Sequence, residues 1–150
     1  MEIYHGSYIK IISPKIIEGG FYKDFGNGFY CTQLKRQAER WARRYDSPMV
    51  NTYEYKENPG LNILRFDEMN DEWLDFIVSC RSGQPHGYDI VMGAMADDQI
   101  YNYVADFISG VITKEQFWVL AKFKYPTHQI NLCTKEALEC LTFKNCEEII

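Results

Sequence analysis

The stretch Asp-Phe-Gly-Asn-Gly-Phe-Tyr at residues 24–30 carries the most information about the fold. It ends a segment rich in glycine, serine and proline, a composition typical of a loop. The run 28–32 has the aromatic and β-branched residues of a short strand. Over about 33–45 the apolar residues recur at helical spacing, which predicts a helix with Thr32 as its N-cap. A glycine-rich loop therefore leads into a strand and a helix that both carry aromatic side chains.

Strands and helices are mixed along the rest of the chain without a regular βαβ repeat. Alternating or continuous apolar runs predict strands, and apolar stripes at helical spacing predict helices. The predicted strands are 1–6, 50–55, 61–66, 88–93, 129–133 and 141–143, and the predicted helices are about 70–82, 97–109, 113–123 and 134–140. An irregular mixture of this kind favours an α+β fold over a doubly wound parallel sheet.

The chain has 150 residues, of which 46% are hydrophobic, and a formal net charge of −5. A domain of this size buries roughly 70% of the surface that its unfolded chain exposes, enough for one full core. We therefore expect a single domain over residues 1–150. The net negative charge argues against a non-specific polyanion binder, because the protein as a whole has no excess of positive charge to neutralise phosphates.

Neither a membrane segment nor a secretion signal is expected. The apolar runs are only a few residues long, whereas a membrane span needs about 20, and the first residues lack the basic and apolar regions of a signal peptide. The five cysteines form no CxxC pair, which favours reduced thiols. The three histidines do not lie at metal-ligand spacing to them, so no metal site is predicted. These features predict a cytoplasmic protein with no membrane partner.

Three motifs occur in a recognisable order: Tyr-His-Gly-Ser at 4–7, the stretch 24–30, and Gln-Ala-Glu-Arg-Trp-Ala at 37–42. This order resembles the NAD-binding half of the ADP-ribosyltransferase superfamily, in the branch of diphtheria toxin and the poly(ADP-ribose) polymerases. That branch has a strand-end His-Gly, a Phe-Gly-x-Gly-x-Tyr, and a second aromatic residue on the next helix, here Trp41. The whole chain is also similar to the small bacterial DUF3990-type family, through 24–30, 37–42 and Val-Met-Gly-Ala-Met-Ala-Asp-Asp at 91–98.

The resemblance implies a core of two small, mainly antiparallel sheets that form an NAD cleft, with flanking helices. It implies that His5 holds a ribose, Gly6 pairs with the nicotinamide carboxamide, and Ser7 reaches the adenosine ribose. Tyr30 and Trp41 would stack on the nicotinamide ring, each contact contributing roughly 1 kcal/mol. Cleavage of the glycosidic bond creates an oxocarbenium-like ribose, so catalysis rests mainly on positioning and electrostatics. Taken singly, each residue also suits a turn or a core; the order and spacing carry the prediction.

The superfamily pattern also includes a glutamate on a later strand, the third-motif position, and this chain departs from the pattern there. By order, Gln129 stands at that position. A glutamine can hydrogen-bond a ribose but cannot act as a general base. This substitution argues against polymer elongation and favours a single transfer or simple NAD cleavage. If Gln129 does not hold the position, the remaining acidic candidates are Asp97, Asp98 and Glu136.

Two basic features complete the predicted site. Arg81, at the end of a predicted helix, is a candidate to clamp the NAD pyrophosphate with two hydrogen bonds; the alternative is a solvated arginine. The segment from Lys35 to Arg44 has five positive charges and one negative charge. Such a run is usually a solvated helix face, although it could steer the pyrophosphate or a nucleic-acid acceptor toward the cleft.

The resemblance predicts a mono-ADP-ribosyltransferase that uses NAD as co-substrate, releases nicotinamide and modifies a protein or nucleic acid, with His5, Tyr30 and Gln129 as catalytic residues. It suggests an intracellular bacterial effector, such as the toxin of a toxin–antitoxin or phage-defence pair, with an antitoxin protein as partner. The alternatives are an NAD glycohydrolase, an RNA 2′-phosphotransferase, and a non-catalytic NAD- or ADP-ribose-binding module.

Overall fold

Two β-sheets form the frame of the protein in the computed structural model, which describes residues 1–18, 23–96, 98–121 and 127–150. Seven strands and five helices lie within these residues. The strands are β1 (Glu2–Ser7), β2 (Phe29–Cys31), β3 (Met49–Tyr55), β4 (Ile63–Arg65), β5 (Ile90–Gly93), β6 (Gln129–Leu132) and β7 (Leu141–Glu148). The helices are α1 (Lys35–Ala42), α2 (Asp71–Arg81), α3 (Asp98–Ile108), α4 (Lys114–Ala121) and α5 (Lys135–Leu138).

The first sheet has the order β1-β3-β7 and is antiparallel throughout. The second has the order β2-β6-β5-β4, in which only β4 and β5, joined through α2, are parallel. The predicted α+β class with two mainly antiparallel sheets is confirmed. The predicted end of the last strand, at 143, is wrong: β7 continues to Glu148 because β3 offers it a pairing partner as far as Met49.

The second sheet is covered on both faces. Along β5, Ile90 and Met92 belong to a core cluster shared with the first sheet, while Val91 between them packs with residues of α2, α3 and α4. Successive side chains of a strand point to opposite faces, so the sheet lies between the first sheet and the helices. Tyr30 in β2 and Gln129 in β6 alternate with residues of the shared cluster and lie on the helix-covered face. No helix within the described ranges is both long and apolar enough to cross a membrane.

The start of α1 differs from the sequence-based prediction. The helix begins at Lys35 with Leu34 at the N-cap position, and the Thr32 hydroxyl accepts a hydrogen bond from the amide of Leu34, which precedes the helix, at 3.0 Å. Thr32 is instead part of the sheet junction, where its amide and carbonyl exchange two hydrogen bonds with Tyr4, at 2.9 and 2.8 Å. This bridge joins β1 of the first sheet to the end of β2 in the second.

Helix α1 packs very closely on β1 at Gly6. A Cβ atom at this position would lie 2.2 Å from the Ala38 carbonyl oxygen and 2.8 Å from the Ala42 amide nitrogen. Both are backbone atoms that cannot move aside without shifting the helix. The small residues Gly6, Ala38 and Ala42 therefore set the distance between α1 and the strand that carries His5.

We predict that Gly6→Ala lowers the free energy of unfolding by ~1–3 kcal/mol, because overpacking forces the backbones of β1 and α1 apart. Urea denaturation checks this result. Gly87→Ala is the matched control, since a Cβ at Gly87 meets no atom within 4 Å. Equal stability of the two variants would contradict the packing.

Candidate active site

A cavity of about 870 Å³ opens beside the junction of the two sheets. Its walls come from β1, the loop before β2, β2 itself, α1, the segment after β5, α3 and β6. Six of the residues singled out in the sequence line this one cavity although they come from separate segments: His5, Gly6, Ser7, Tyr30, Trp41 and Gln129. The fold thus brings together side chains that lie more than a hundred positions apart in the chain.

His5 is held as a neutral ring. Its Nδ1 lies 2.5 Å from the Tyr30 carbonyl oxygen, and its ring stacks on Phe29 with centroids 4.1 Å apart. A carbonyl only accepts hydrogen bonds, so Nδ1 carries the proton and donates it. Burial lowers the pKa of His5 from 6.5 to about 4. At neutral pH the Nε2 atom is therefore a lone-pair acceptor for a hydroxyl group of a ligand.

Tyr30 presents its ring to the cavity, because its hydroxyl is hydrogen-bonded to the loop before β2. The hydroxyl donates to the Gly26 carbonyl at 2.6 Å and accepts from the Phe25 amide at 3.1 Å. Burial raises the pKa of this phenol well above its usual value, so it stays protonated. Lys23 places its Nζ 5.2 Å from the ring centroid. The ring of Tyr30 is therefore suited to hold a cation over its face.

Asn131 holds the loop that carries Gly26 through hydrogen bonds to its backbone. The Nδ2 atom of Asn131 donates to the carbonyls of Phe25 and Asn27, at 3.0 and 3.2 Å. A Cβ on Gly28 would lie 1.9 Å from the Asn131 side-chain oxygen, so only glycine lets the loop approach this close. His86 adds a contact of 2.9 Å between its Nε2 and the Phe25 carbonyl.

Gln37 fastens α1 to the start of β6. Its side-chain amide donates to the His128 carbonyl at 2.5 Å and accepts from the His128 backbone amide at 3.2 Å. The next residue is Gln129, so this clamp sets the distance between the cavity wall that carries Trp41 and the wall that carries Gln129. Gln37 lies in a quoted motif, but its partner is 91 positions away, and no local signal reveals the contact.

Asp24 is a buried carboxylate in the cavity wall, only 8% exposed. Its Oδ2 accepts from the Ala96 amide at 2.9 Å and from Gln129 Nε2 at 3.3 Å. Its Oδ1 accepts two hydrogen bonds from Arg81, at 3.1 and 2.5 Å. Asp24 lies in the 24–30 motif, and its local sequence predicts no role for it.

The assignment of Arg81 to a pyrophosphate clamp does not fit the structure. Arg81 is not among the residues that line the cavity. Its guanidinium is buried against Asp24, donates to the Tyr101 carbonyl at 3.2 Å and lies 4.0 Å from the Tyr101 ring centroid. A guanidinium with these contacts is already neutralised and hydrogen-bonded. Arg81 therefore holds Asp24 in the cavity wall instead of binding a ligand.

The other acidic candidates for the third-motif position are not placed in the cavity. Asp97 and the side chain of Asp98 lie outside the described residues. Glu136 is exposed in the first turn of α5 and does not line the cavity. Gln129, which is 3% exposed, is the one of these four candidates that the structure shows in the cavity wall.

The basic residues of the segment around α1 have different surroundings. Lys35 forms an ion pair with Glu147 at 2.5 Å, which turns it away from a ligand role. Arg36, Arg40 and Arg43 are exposed, and Arg44 lines the cavity. The cavity therefore has Lys23 and Arg44 as cationic residues in its wall.

A second cavity of about 340 Å³ lies on the other side of the 24–30 loop and includes Cys80 and Cys133. Burial raises the pKa of each thiol to about 12, so neither is a nucleophilic thiolate at neutral pH. Within the part of the chain that the structure describes, no three His, Cys, Asp or Glu side chains are grouped so as to hold a metal ion.

The fold and this cavity define an α+β protein with a candidate ligand cleft at the junction of two mainly antiparallel sheets. The chain belongs to the DUF3990 family, described as a protein of unknown function, whose family model matches residues 1–143. No curated protein matches the chain. No solved structure matches it.

We predict that His5 titrates near pH 4 with its proton on Nδ1, which nitrogen-detected NMR of the histidine ring measures. Because the folded pKa lies below the unfolded value of 6.5, the unfolded chain binds the extra proton first. His5 therefore makes the free energy of unfolding fall as the pH drops from about 6.5 to about 4. His5→Asn should weaken this dependence, and a pKa near 6.5 for His5 would contradict its burial.

Proposed function

We propose that the protein binds NAD in the cleft and transfers its ADP-ribose group to a single acceptor site, releasing nicotinamide. The observation that carries the proposal is that His5, Tyr30, Trp41 and Gln129 line one cavity. Their order in the chain resembles that of the ADP-ribosyltransferase superfamily, and the cavity of about 870 Å³ is within the usual size range of a ligand site.

The ribose is assigned to the β1 side of the cleft. The free Nε2 of His5 accepts a hydrogen bond from a ribose hydroxyl, a role that its protonated Nδ1 makes possible. Gly6 follows directly in the cavity wall, and its backbone amide and carbonyl are the groups assigned to the nicotinamide carboxamide. Ser7 is buried in the same wall and provides a hydroxyl for the adenosine half of the dinucleotide.

The nicotinamide ring is assigned to the space beside Tyr30 and Trp41. The nicotinamide ring of NAD is cationic, and the Tyr30 ring already holds the Lys23 ammonium over its face, at 5.2 Å. NAD would displace this ammonium and gain stacking and cation–π contact. Lys23, once displaced, and Arg44 are the cationic residues in the cleft wall, and we assign the pyrophosphate to their side of the cleft.

In the proposed reaction, the bond between ribose C1′ and the nicotinamide nitrogen breaks, and nicotinamide leaves as a neutral molecule with the bonding electron pair. The acceptor forms the new bond to C1′ and loses its proton to solvent. Gln129 orients the ribose through hydrogen bonds but does not accept this proton. A site of this kind suits mono-ADP-ribosylation of a protein or nucleic acid, as expected of a bacterial effector or toxin with a neutralising antitoxin.

Incubation of the protein with adenine-labelled NAD and a cell lysate tests the function. We expect release of nicotinamide and label on a macromolecule that either protease or nuclease removes. Nicotinamide release with only free ADP-ribose would indicate a glycohydrolase, and transfer onto an RNA 2′-phosphate would indicate a phosphotransferase. Binding without release would indicate a binding module. A protein that does not bind NAD at all would contradict the proposal.

Tyr30→Ala should lower nicotinamide release by at least about tenfold, which corresponds to roughly 1.4 kcal/mol, because the stacking ring is lost. Tyr30→Phe is the matched control: it keeps the ring and removes the hydroxyl tether to Gly26. We expect Tyr30→Phe to bind NAD nearly as well as the parent protein, with a small loss of stability. Nicotinamide release at the parent rate by a folded Tyr30→Ala variant would refute the assigned ring position.

A further inference from the structure

Asp24 and Gln129 form a hydrogen-bonded pair in the cleft wall although they are 105 positions apart. Both side chains are almost fully buried, and both line the cavity. Asp24 Oδ2 receives Gln129 Nε2 at 3.3 Å and the Ala96 amide at 2.9 Å, and Oδ1 is bound to Arg81. The carboxylate is therefore held on three sides before any ligand arrives.

This contact determines which end of the Gln129 amide is available. The two ends of a side-chain amide have nearly the same shape, and one donates hydrogen bonds while the other accepts them. A carboxylate only accepts, so Nε2 must be the atom beside Asp24. Oε1 is then the end left for a ligand. A negative partner on Nε2 also makes Oε1 a stronger acceptor, because linked hydrogen bonds polarise one another.

We propose that Asp24 is a positioning residue that holds Gln129 with its oxygen toward the reacting ribose. This inference rests on the proposed function. An oxygen in that place stabilises the positive charge that develops on the ribose, whereas an amide NH₂ group would oppose it. Arg81 neutralises the carboxylate and anchors it, so Asp24 acts through Gln129 and does not touch the reacting atoms itself.

The pair also explains why glutamine suits position 129 in this chain. A glutamate there would bring a second carboxylate within about 3.3 Å of Asp24 Oδ2, the distance now spanned by the Gln129 hydrogen bond. Two buried carboxylates at this separation repel each other, so one of them keeps its proton to a higher pH than an isolated glutamate does. A protonated glutamate would donate its O–H to Asp24 and present its carbonyl oxygen to the cleft, as the amide does now.

The test is the pH profile of nicotinamide release by Gln129→Glu relative to the parent protein, from pH 5 to pH 8. At pH 8 the variant should be slower by at least about tenfold, with the loss mainly in kcat, because the introduced carboxylate is ionised and Asp24 repels it. At pH 5 it should approach the parent rate as the introduced carboxyl group becomes protonated. Gln116→Glu, on the exposed face of α4, is the matched control and should keep a constant ratio to the parent.

A second variant, Asp24→Asn combined with Gln129→Glu, moves the negative charge from position 24 to position 129. The introduced asparagine can donate a hydrogen bond to the introduced glutamate, so the steep pH dependence of the single variant should disappear. If the double variant does not fold because Arg81 loses its charge partner, the Gln129→Glu profile decides alone. A constant ratio for Gln129→Glu would overturn the inference and leave the proposed function standing. A parent protein that releases no nicotinamide and binds no NAD would overturn both.

Discussion

The bridge between Tyr4 and Thr32 is the contact on which the rest of the structure depends. Its two backbone hydrogen bonds join β1 of one sheet to the end of β2 in the other. Through this joint, His5 comes within 2.5 Å of the Tyr30 carbonyl. Apolar packing between the two sheets is not directional, so these hydrogen bonds fix how the sheets meet. This bridge therefore gives the cleft at the junction of the two sheets a defined geometry.

The cleft is a set of rigid positions, because its polar groups are bonded to one another before a ligand binds. The Tyr30 hydroxyl, Asn131 and His86 all hold the backbone of the 24–28 loop. Gln37 holds the start of β6. Hydrogen bonds between buried groups favour one arrangement, since an alternative would break them. A site of this kind binds by preorganisation, which limits the ordering cost of binding.

The buried pair of Asp24 and Arg81 stabilises the fold and shapes the site at once. Removing one partner of such a pair typically costs about 3–5 kcal/mol, because the other charge is left uncompensated. The pair links the loop before β2 to the end of α2, across 57 positions. The same carboxylate sets the direction of the Gln129 amide. Changes that tune the site at Asp24 therefore also act on stability.

The sequence alone determined the elements and much of the candidate site. Periodicity, a local signal, located the strands and helices, and the order of motifs along the chain singled out the six residues that the structure brings into one cavity. The tertiary structure alone decided the hydrogen-bond partners of the side chains in and around the site. Arg81 has the same local surroundings whether it clamps a ligand or supports Asp24, and only the packing of α2 against the loop selects between them. The protonated nitrogen of His5 and the free end of Gln129 depend likewise on a carbonyl and a carboxylate from distant segments. Such choices lie beyond local sequence because they follow from which backbones meet at the junction of the sheets.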